Sequence, residues 1–440
     1  MKESSNIPIG PLSGFAEYRE PEAVLFSQWS QRVLGIYQLH GFANIVPRPL
    51  ESRVVLAAKG GIQHQVFGVS RLPNDAPTDM ALPFDRTVPF ARWVAAHAGT
   101  LVFPVRRADV GFSFRGERAQ AGRYQGFIQA DIDIVAPTLA PLDDAECVAT
   151  IAHALGVLDV GAVTMRLSHL GLVRALLGHF GVSREHNDRA LRALDSVGDA
   201  GREAVSAALV EATCVPRRDL EPLIKLTQQE GDLAALKACL PDSPAVWEAF
   251  EEFEQVITSA VELGVSRHSL RVSLRIARGL DYYTGTVFET HLHGGEQFGS
   301  VASGGRFDNL VEAFGGRSLP GVGGSIGLTR LFDIALRTGR VQPGLRTPAL
   351  VVVGARTPAE LPEARAVASA LRKYNIATEL ASATGARTLL TYGNKKGHRV
   401  AVVAMSRDSI VVRVLASGNQ VDVDSIAAAV EAARQHTEEH

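Results

Sequence analysis

The stretch Phe127 to Ile134, FIQADIDI, constrains the fold more than any other part of the chain. Its residues alternate strictly: Phe127, Gln129, Asp131 and Asp133 fall on one face of an extended segment, Ile128, Ala130, Ile132 and Ile134 on the other. A period of two predicts a strand whose apolar face packs on a core. The polar face then holds two carboxylates at i and i+2, about 7 Å apart, beside an amide, and these groups need water or a polar ligand. The wall of a cation- or amine-binding pocket meets that need, and so does a solvated antiparallel face.

Immediately upstream, FRGERAQAGRY (residues 114–124) gathers Arg115, Arg118 and Arg123 around Gly116 and Gly122. Guanidinium groups on a turn of small residues can grip phosphate oxygens in pairs; an exposed basic hairpin has the same composition. A second concentration, RGLDYYTGTVFE from Arg278 to Glu289, sets charge, two phenols and turn glycines inside sheet-like patterning. Before it, Leu270, Val272, Leu274 and Ile276 alternate with Arg271, Ser273 and Arg275, which predicts a strand over 268–277. If Tyr282 and Tyr283 are extended as well, their rings point to opposite faces and at most one lines a given pocket. An edge hairpin with a surface ion pair is the plain alternative. The third concentration runs from SVASGGRFDNLVEAFGG (300–316) into GVGGSIGLTRLF (321–332), where glycines permit tight turns and close backbone approach and a following helix carries Arg330 toward the same place. Glycines that serve only core packing read identically. There is no GxxxxGK[ST], and no GxGxxG between a strand and a helix, so P-loop and dinucleotide-fold readings lack support.

At 440 residues the chain exceeds what one hydrophobic core usually organises, so two or three domains are expected. Residues 21–42 place Ala23, Leu25, Phe26, Trp29, Val33, Leu34 and Tyr37 at helical intervals behind a proline start, with Gly41 as a stop. Residues 79–135 are short-patterned and turn-rich; 139–263 read as mostly helical, with an inserted helical module over about 170–262. After the punctuation of GRVQPGLRTP, strand and helix patterns alternate: strands over 349–353, 376–380 and 400–404, helices over 359–373 and 387–394. Units this short predict a small α/β domain with a partly parallel sheet. No apolar run approaches a bilayer span and the N-terminus has no secretory core, so a cytoplasmic protein without a membrane anchor is expected. Cys147, Cys214 and Cys239 lie far apart and read as structural thiols rather than metal ligands. A net charge of -2 argues against bulk adhesion to nucleic acid while leaving room for a local basic groove.

Taken in this order, the three concentrations resemble the class II aminoacyl-tRNA synthetases, and RGLDYYTGTVFE resembles the histidine signature of histidyl-tRNA synthetases. FRGERAQAGRYQGFIQADIDI is similar to the family's motif 2, GVGGSIGLTRL to its motif 3, and the tail to its anticodon-binding domain. The resemblance implies an α+β fold: an antiparallel sheet flanked by helices (1–169 and 263–340), a helical insertion (170–262) and a C-terminal α/β anticodon-binding-like domain (347–440). It implies condensation of L-histidine with ATP, Mg²⁺ bridging the phosphates, then transfer to tRNA(His) by a homodimer. Arg115 resembles the motif 2 arginine on the α-phosphate; Glu117 and Arg123 resemble ATP contacts, and Phe127 the ring that stacks on adenine. Arg330 matches the arginine near the γ-phosphate, and Arg278 the arginine that neutralises charge growing on the α-phosphate, a role suited to a permanently charged donor. Asp85 and Thr87, helped by Gln129, match the residues that hold the α-ammonium. Asp133, Tyr282 and Tyr283, with Arg278, match the histidine-binding set, and a carboxylate opposite a phenol can engage both imidazole nitrogens.

The chain also departs from the family pattern. Pro83 stands where an arginine is usual, Arg86 replaces an uncharged residue, and Phe307 replaces a tyrosine. Ala119 replaces a proline, Gln125 and Gly126 stand for Arg and Glu, and residues 388–396 lack part of a basic pattern while Lys395, Lys396 and Arg399 remain. These changes spare the adenylation residues and fall on amino-acid choice and on tRNA-facing elements. A paralogue that activates an amino acid for another acceptor, and a non-catalytic regulatory subunit of histidine biosynthesis, therefore stand as alternative readings.

Overall fold

The computed structural model describes residues 9–57, 63–72, 79–118, 122–197, 201–276, 282–315, 317–382 and 384–437. FIQADIDI lies within a ten-residue strand, and its Ala130, Ile132 and Ile134 are fully buried, as the alternation predicts. The chain divides into two compact units, Met1–Ala16 with Trp29–Val341 and Glu17–Gln28 with Gln342–His440.

The chain runs through α1 (Glu20–Leu39), β1 (Ala43–Asn44), the short pair β2 (Glu51–Ser52) and β3 (Met80–Ala81) with α2 (Arg53–Ala57) between them, and α3 (Thr87–His97). The long strands β4 (Val105–Phe114) and β5 (Gly126–Val135) follow, then α4 (Pro141–Gly156) and β6 (Val163–His169). Helices α5 (Leu170–His179), α6 (Asn187–Val197), α7 (Arg202–Thr213) and α8 (Arg217–Thr227) lead to β7 (Glu230–Gly231), α9 (Leu233–Lys237) and α10 (Pro244–Glu262). The larger unit closes with β8 (Leu270–Ser273), β9 (Thr286–Leu292), β10 (Ala302–Phe307), β11 (Gly321–Ile326) and α11 (Leu328–Arg337).

Nine of these strands form one sheet in the order β1-β4-β5-β11-β10-β9-β6-β8-β7. Every pairing from β4 to β6 is antiparallel; the parallel pairings, β1 with β4 and β6 with β8, lie toward the edges. Helices α4 and α10 pack on one another, and α4 also packs on β11. The glycines of β10 and β11 permit this closeness: a Cβ on Gly304 would lie 2.2 Å from the Gly323 carbonyl oxygen, and one on Gly324 would lie 2.8 Å from Phe288 and 3.0 Å from Ile151. Leu328, Leu331 and Phe332 of α11 are fully buried, and Trp29 meets Phe332 edge-on at 5.1 Å between ring centroids.

Residues 139–263 are mostly helical, as expected, with β6 crossing them as an interior strand whose Met165 and Leu167 are fully buried. One sequence expectation needs correction. The strand expected over 268–277 is only the four residues of β8; a single helical turn, Arg267–Ser269, precedes it, and Leu274 and Arg275 already form a turn.

The smaller unit contains β12 (Val351–Ala355), α12 (Leu361–Lys373), β13 (Thr378–Leu380), α13 (Ala386–Lys396), β14 (Val400–Ser406), β15 (Ser409–Val414), β16 (Gln420–Val423) and α14 (Ile426–Gln435). Its sheet runs β13-β12-β14-β15-β16, with β12 parallel to both neighbours and the rest antiparallel, the partly parallel α/β arrangement read from the sequence. No helix among the described residues is long and apolar enough to cross a membrane.

Candidate functional site

Register on the sheet brings the polar face of β5 between two unlike neighbours. Across β4, Asp133 pairs with Arg107, Asp131 with Asp109 and Gln129 with Gly111; across β11, Asp133 pairs with Gly323 and Asp131 with Ser325. The fully buried Arg107 spends its guanidinium on two carboxylates, Nη1 to Asp133 Oδ2 at 2.6 Å and Nη2 to Asp109 Oδ2 at 2.7 Å. Arg86, at the start of α3, completes the ladder: its Nε donates to Asp109 Oδ2 at 2.6 Å and its Nη1 to the Phe112 carbonyl at 3.0 Å. That guanidinium lies over Gly111, where a Cβ would be 2.7 Å from its Cζ.

Burial pushes the Asp131 carboxyl up to about 7, against the pull of Arg107 and a hydrogen bond from Ser325. Burial raises Asp133 as well, while Arg107 and Thr87 oppose it. Burial also works against the Arg107 charge, yet Asp133, Asp109 and Asp131 outweigh it and keep the guanidinium protonated. Asp85 joins this group from the α3 entry, its Oδ1 accepting from the Val88 amide at 2.9 Å. Four carboxyl groups thus gather around two guanidiniums, an acidic setting that favours a cationic ligand, whose charge in turn favours the ionised forms of Asp131 and Asp133.

A cavity of about 60 Å³ opens on this group, bounded by Asp85, Thr87, Gln129, Asp133, Tyr282 and Tyr283 among others. Thr87 Oγ1 donates to Asp133 Oδ1 at 3.3 Å. Both tyrosines border the cavity, which corrects the expectation that at most one would do so. Tyr282 lies in a turn and Tyr283 just after it, neither in a strand, and their rings meet edge-on with centroids 4.6 Å apart. Burial holds both phenols well above the usual range, so they stay protonated. The segment after them is held from several sides: Thr284 donates its amide to the Arg306 carbonyl at 2.8 Å and its hydroxyl to Asp308 Oδ2 at 2.5 Å, while Arg174 of α5 donates to the Thr284 carbonyl at 2.9 Å. Arg278 and Asp281 lie outside the described residues.

A second cavity, of about 120 Å³, shares Arg115, Gln129, Ser303 and Ser325 with the first and adds Glu117, Arg123, Tyr124, Phe127 and Arg330. The Arg115 guanidinium lies 4.6 Å from the ring centroid of Phe84 and 5.1 Å from that of Phe127, a cation held between aromatic rings. Arg330 is anchored by donating from Nε to the Gly122 carbonyl at 2.7 Å and from Nη1 to the Ser300 carbonyl at 2.8 Å. The helix that carries it is pinned to β5, because the Ile128 amide donates to Thr329 Oγ1 at 2.8 Å. Arg123 lies 3.9 Å from Glu117 and is half exposed. Burial, with Asp333 next, pushes Tyr124 up to about 12. Three cations and two aromatic rings facing one cleft suit a polyphosphate attached to a flat base.

The departures acquire physical reasons here. Gly126 leaves room for Phe15, whose ring atoms would lie 2.5 Å from a Cβ at that position, and the amides of Gln125 and Gly126 donate to the Gly14 carbonyl. Phe307 is buried, meets Tyr282 edge-on at 5.8 Å, and makes that wall of the smaller cavity apolar. Arg86 turns to Asp109 rather than to the ligand cavity. Sequence reasoning placed Asp131 on the right face but gave it no task, and it passed over Arg107, Asp109, Ser303, Ser325 and Tyr124. The signal for Arg107 and Asp109 was their two-residue spacing on a strand opposite Asp131 and Asp133, which becomes readable only once the register is known.

A model of the histidyl-tRNA synthetase family matches residues 14–331. The histidine–tRNA ligase of Rhodopirellula baltica is 31% identical over 423 residues, covering 94% of this chain and 94% of that protein. That of Micrococcus luteus is 35% identical over 425 residues, covering 92% and 91%. The crystal structure of histidyl-tRNA synthetase from Nostoc sp. PCC 7120 is similar at a TM-score of 0.85 and 30% identity, over 98% of this chain and 99% of that one.

Proposed function

Because the chain belongs to the histidyl-tRNA synthetase family, we propose that it condenses L-histidine with ATP to histidyl-adenylate and then transfers the histidyl group to tRNA(His). The observation that carries this reading is the junction of two unlike cavities: an acidic one with buried phenols and a cationic one with aromatic rings, joined at Arg115, Gln129, Ser303 and Ser325. A ligase that couples an amino acid to a nucleotide needs such a junction, because the carboxylate must meet the α-phosphorus where the two sites touch.

In this reading the amino acid lies in the acidic cavity, its α-ammonium toward Asp85, Thr87 and Gln129 and its imidazole toward Asp133, Tyr282 and Tyr283. Phe127 stacks on adenine, Glu117 and Arg123 contact ATP, and Arg115 and Arg330 hold the α- and γ-phosphates. The histidine carboxylate attacks the α-phosphorus in line, the bond to the leaving pyrophosphate breaks, and fixed guanidiniums stabilise the charge that grows on the phosphoryl oxygens. Arg278, assigned from its motif, supplies one of them. Mg²⁺ would be held by the ATP phosphates, with Glu117 as the carboxylate at hand, and would neutralise phosphate charge.

Residues 170–262 serve as a helical insertion and 347–440 as an anticodon-binding-like domain, with Lys395, Lys396 and Arg399 toward RNA. The active form is a homodimer acting in the cytoplasm. Incubation of the purified protein with ATP, Mg²⁺, radiolabelled L-histidine and tRNA(His) tests the reading: acid-precipitable histidyl-tRNA is expected, and exchange without charging would remove the transfer step.

A further inference from the structure

We infer that Ser325 and Asp131 are positioning residues for Gln129, fixing its amide so that the carbonyl oxygen, not the NH₂ group, meets the amino group of the bound amino acid. The inference rests on the proposed histidine-binding role of the acidic cavity.

Three side chains on neighbouring strands form a directed hydrogen-bond chain. Gln129 Nε2 donates to Ser325 Oγ at 2.7 Å, and Ser325 Oγ donates to Asp131 Oδ1 at 2.5 Å. With Asp131 ionised, the form that a bound ammonium beside it favours, the direction follows from chemistry: a carboxylate only accepts, and a hydroxyl has one proton. The short Ser325 to Asp131 bond is that of a hydroxyl on a charged acceptor. With its proton committed, the Ser325 oxygen can only accept from Gln129, so the amide must present nitrogen to it. Gln129 Oε1 is left buried, without a protein partner among the described residues, in a side chain that borders both cavities. A buried acceptor in this position is costly unless a ligand donates to it, and an α-ammonium does. Register holds the chain in place, since Asp131 sits opposite Ser325 on β11 and Gln129 lies two residues along the same face of β5.

Replacing Asp131 by Asn lifts the constraint, because an Asn amide can donate to Ser325 as well as accept from it; where it donates, the hydroxyl donates to Gln129 Oε1 and the NH₂ of Gln129 turns toward the ammonium. Replacing Ser325 by Ala only frees the amide to rotate. The test measures binding by calorimetry of two ligands, histidinol, which keeps the amine, and 3-(imidazol-4-yl)propionate, which lacks it. Histidinol affinity is expected to fall about tenfold in Ser325→Ala and in Asp131→Asn, the scale of losing one charged hydrogen bond. The amine-free ligand is expected to bind each variant as it binds the unmodified protein. Equal weakening of both ligands, or no change in either, overturns the inference, and Ser325→Ala alone decides it if Asp131→Asn does not fold. Failure of the unmodified protein to bind histidinol at all would instead overturn the histidine-binding reading.

Discussion

At the scale of single residues, the acidic cavity depends on a ladder that alternates charge: Arg86, Asp109, Arg107 and Asp133. Removing one member leaves a buried charge uncompensated, so Arg86→Ala should lower the unfolding free energy by about 3 kcal/mol or more, measured by urea denaturation. Gly111→Ala should also destabilise the protein, because its Cβ would lie 2.7 Å from the Arg86 guanidinium carbon. In the Arg86→Ala background the same glycine change should cost far less, and a double-mutant cycle that showed simple additivity would contradict the geometry. Arg86 stood out in the sequence as a charge where the family has none. Its partner did not, because only the pairing of β4 with β5 and the fold of the α3 entry put Asp109 beside it. Arg278→Ala should slow histidine-dependent pyrophosphate exchange by about two orders of magnitude, the scale for removing a preorganised donor; an unchanged rate would take Arg278 out of the mechanism.

At the scale of elements, strictly alternating strands were legible and short irregular ones were not. FIQADIDI has a period that admits one reading, and its buried face is as expected. β6, VTMRLSH, sits between helices and ends in Ser and His, and a seven-residue run of this kind does not separate strand from helix by period. For the paired tyrosines, the reading that supposed an extended backbone failed for a related reason, since the non-extended segment that lets both border one cavity leaves no mark on alternation. β11 shows how closely an element is fitted to the site: a Cβ on Gly323 would lie 2.4 Å from Asp133 Oδ1. Gly323→Ala should therefore raise the KM for histidine at least tenfold, with a much smaller change in the KM for ATP. The junction of β6 and α5 gives a pH prediction. His169 caps α5, its Nδ1 accepting from the Leu172 amide at 3.2 Å, and burial, reinforced by Arg306 and Arg174, pushes its pKa down to about 4. The folded protein thus holds the ring neutral while the unfolded chain protonates it near pH 6.5, so this stabilisation is complete above that pH and is lost as the pH falls toward 4. The full effect is about 3 kcal/mol at most. His169→Asn keeps a capping acceptor and removes the titration, so its stability should depend less on pH between 6.5 and 4 than that of the unmodified protein.

At the scale of the whole molecule, the order of motifs along the chain disclosed the family, and the composition disclosed little beyond a multidomain protein. The two compact units divide the proposed labour: activation in the larger, contact with RNA in the smaller. Lys395 is exposed near the end of α13, and the proposal assigns it to the second task. Lys395→Glu should lower kcat/KM for tRNA(His) several-fold and leave pyrophosphate exchange unchanged, whereas an equal loss in both assays would deny the division. The central claim is that this chain activates histidine. ATP–pyrophosphate exchange measured with each of the standard amino acids in turn tests it most directly. The geometry predicts exchange with L-histidine and background rates with the rest; exchange that prefers another amino acid, or none with histidine, would contradict it.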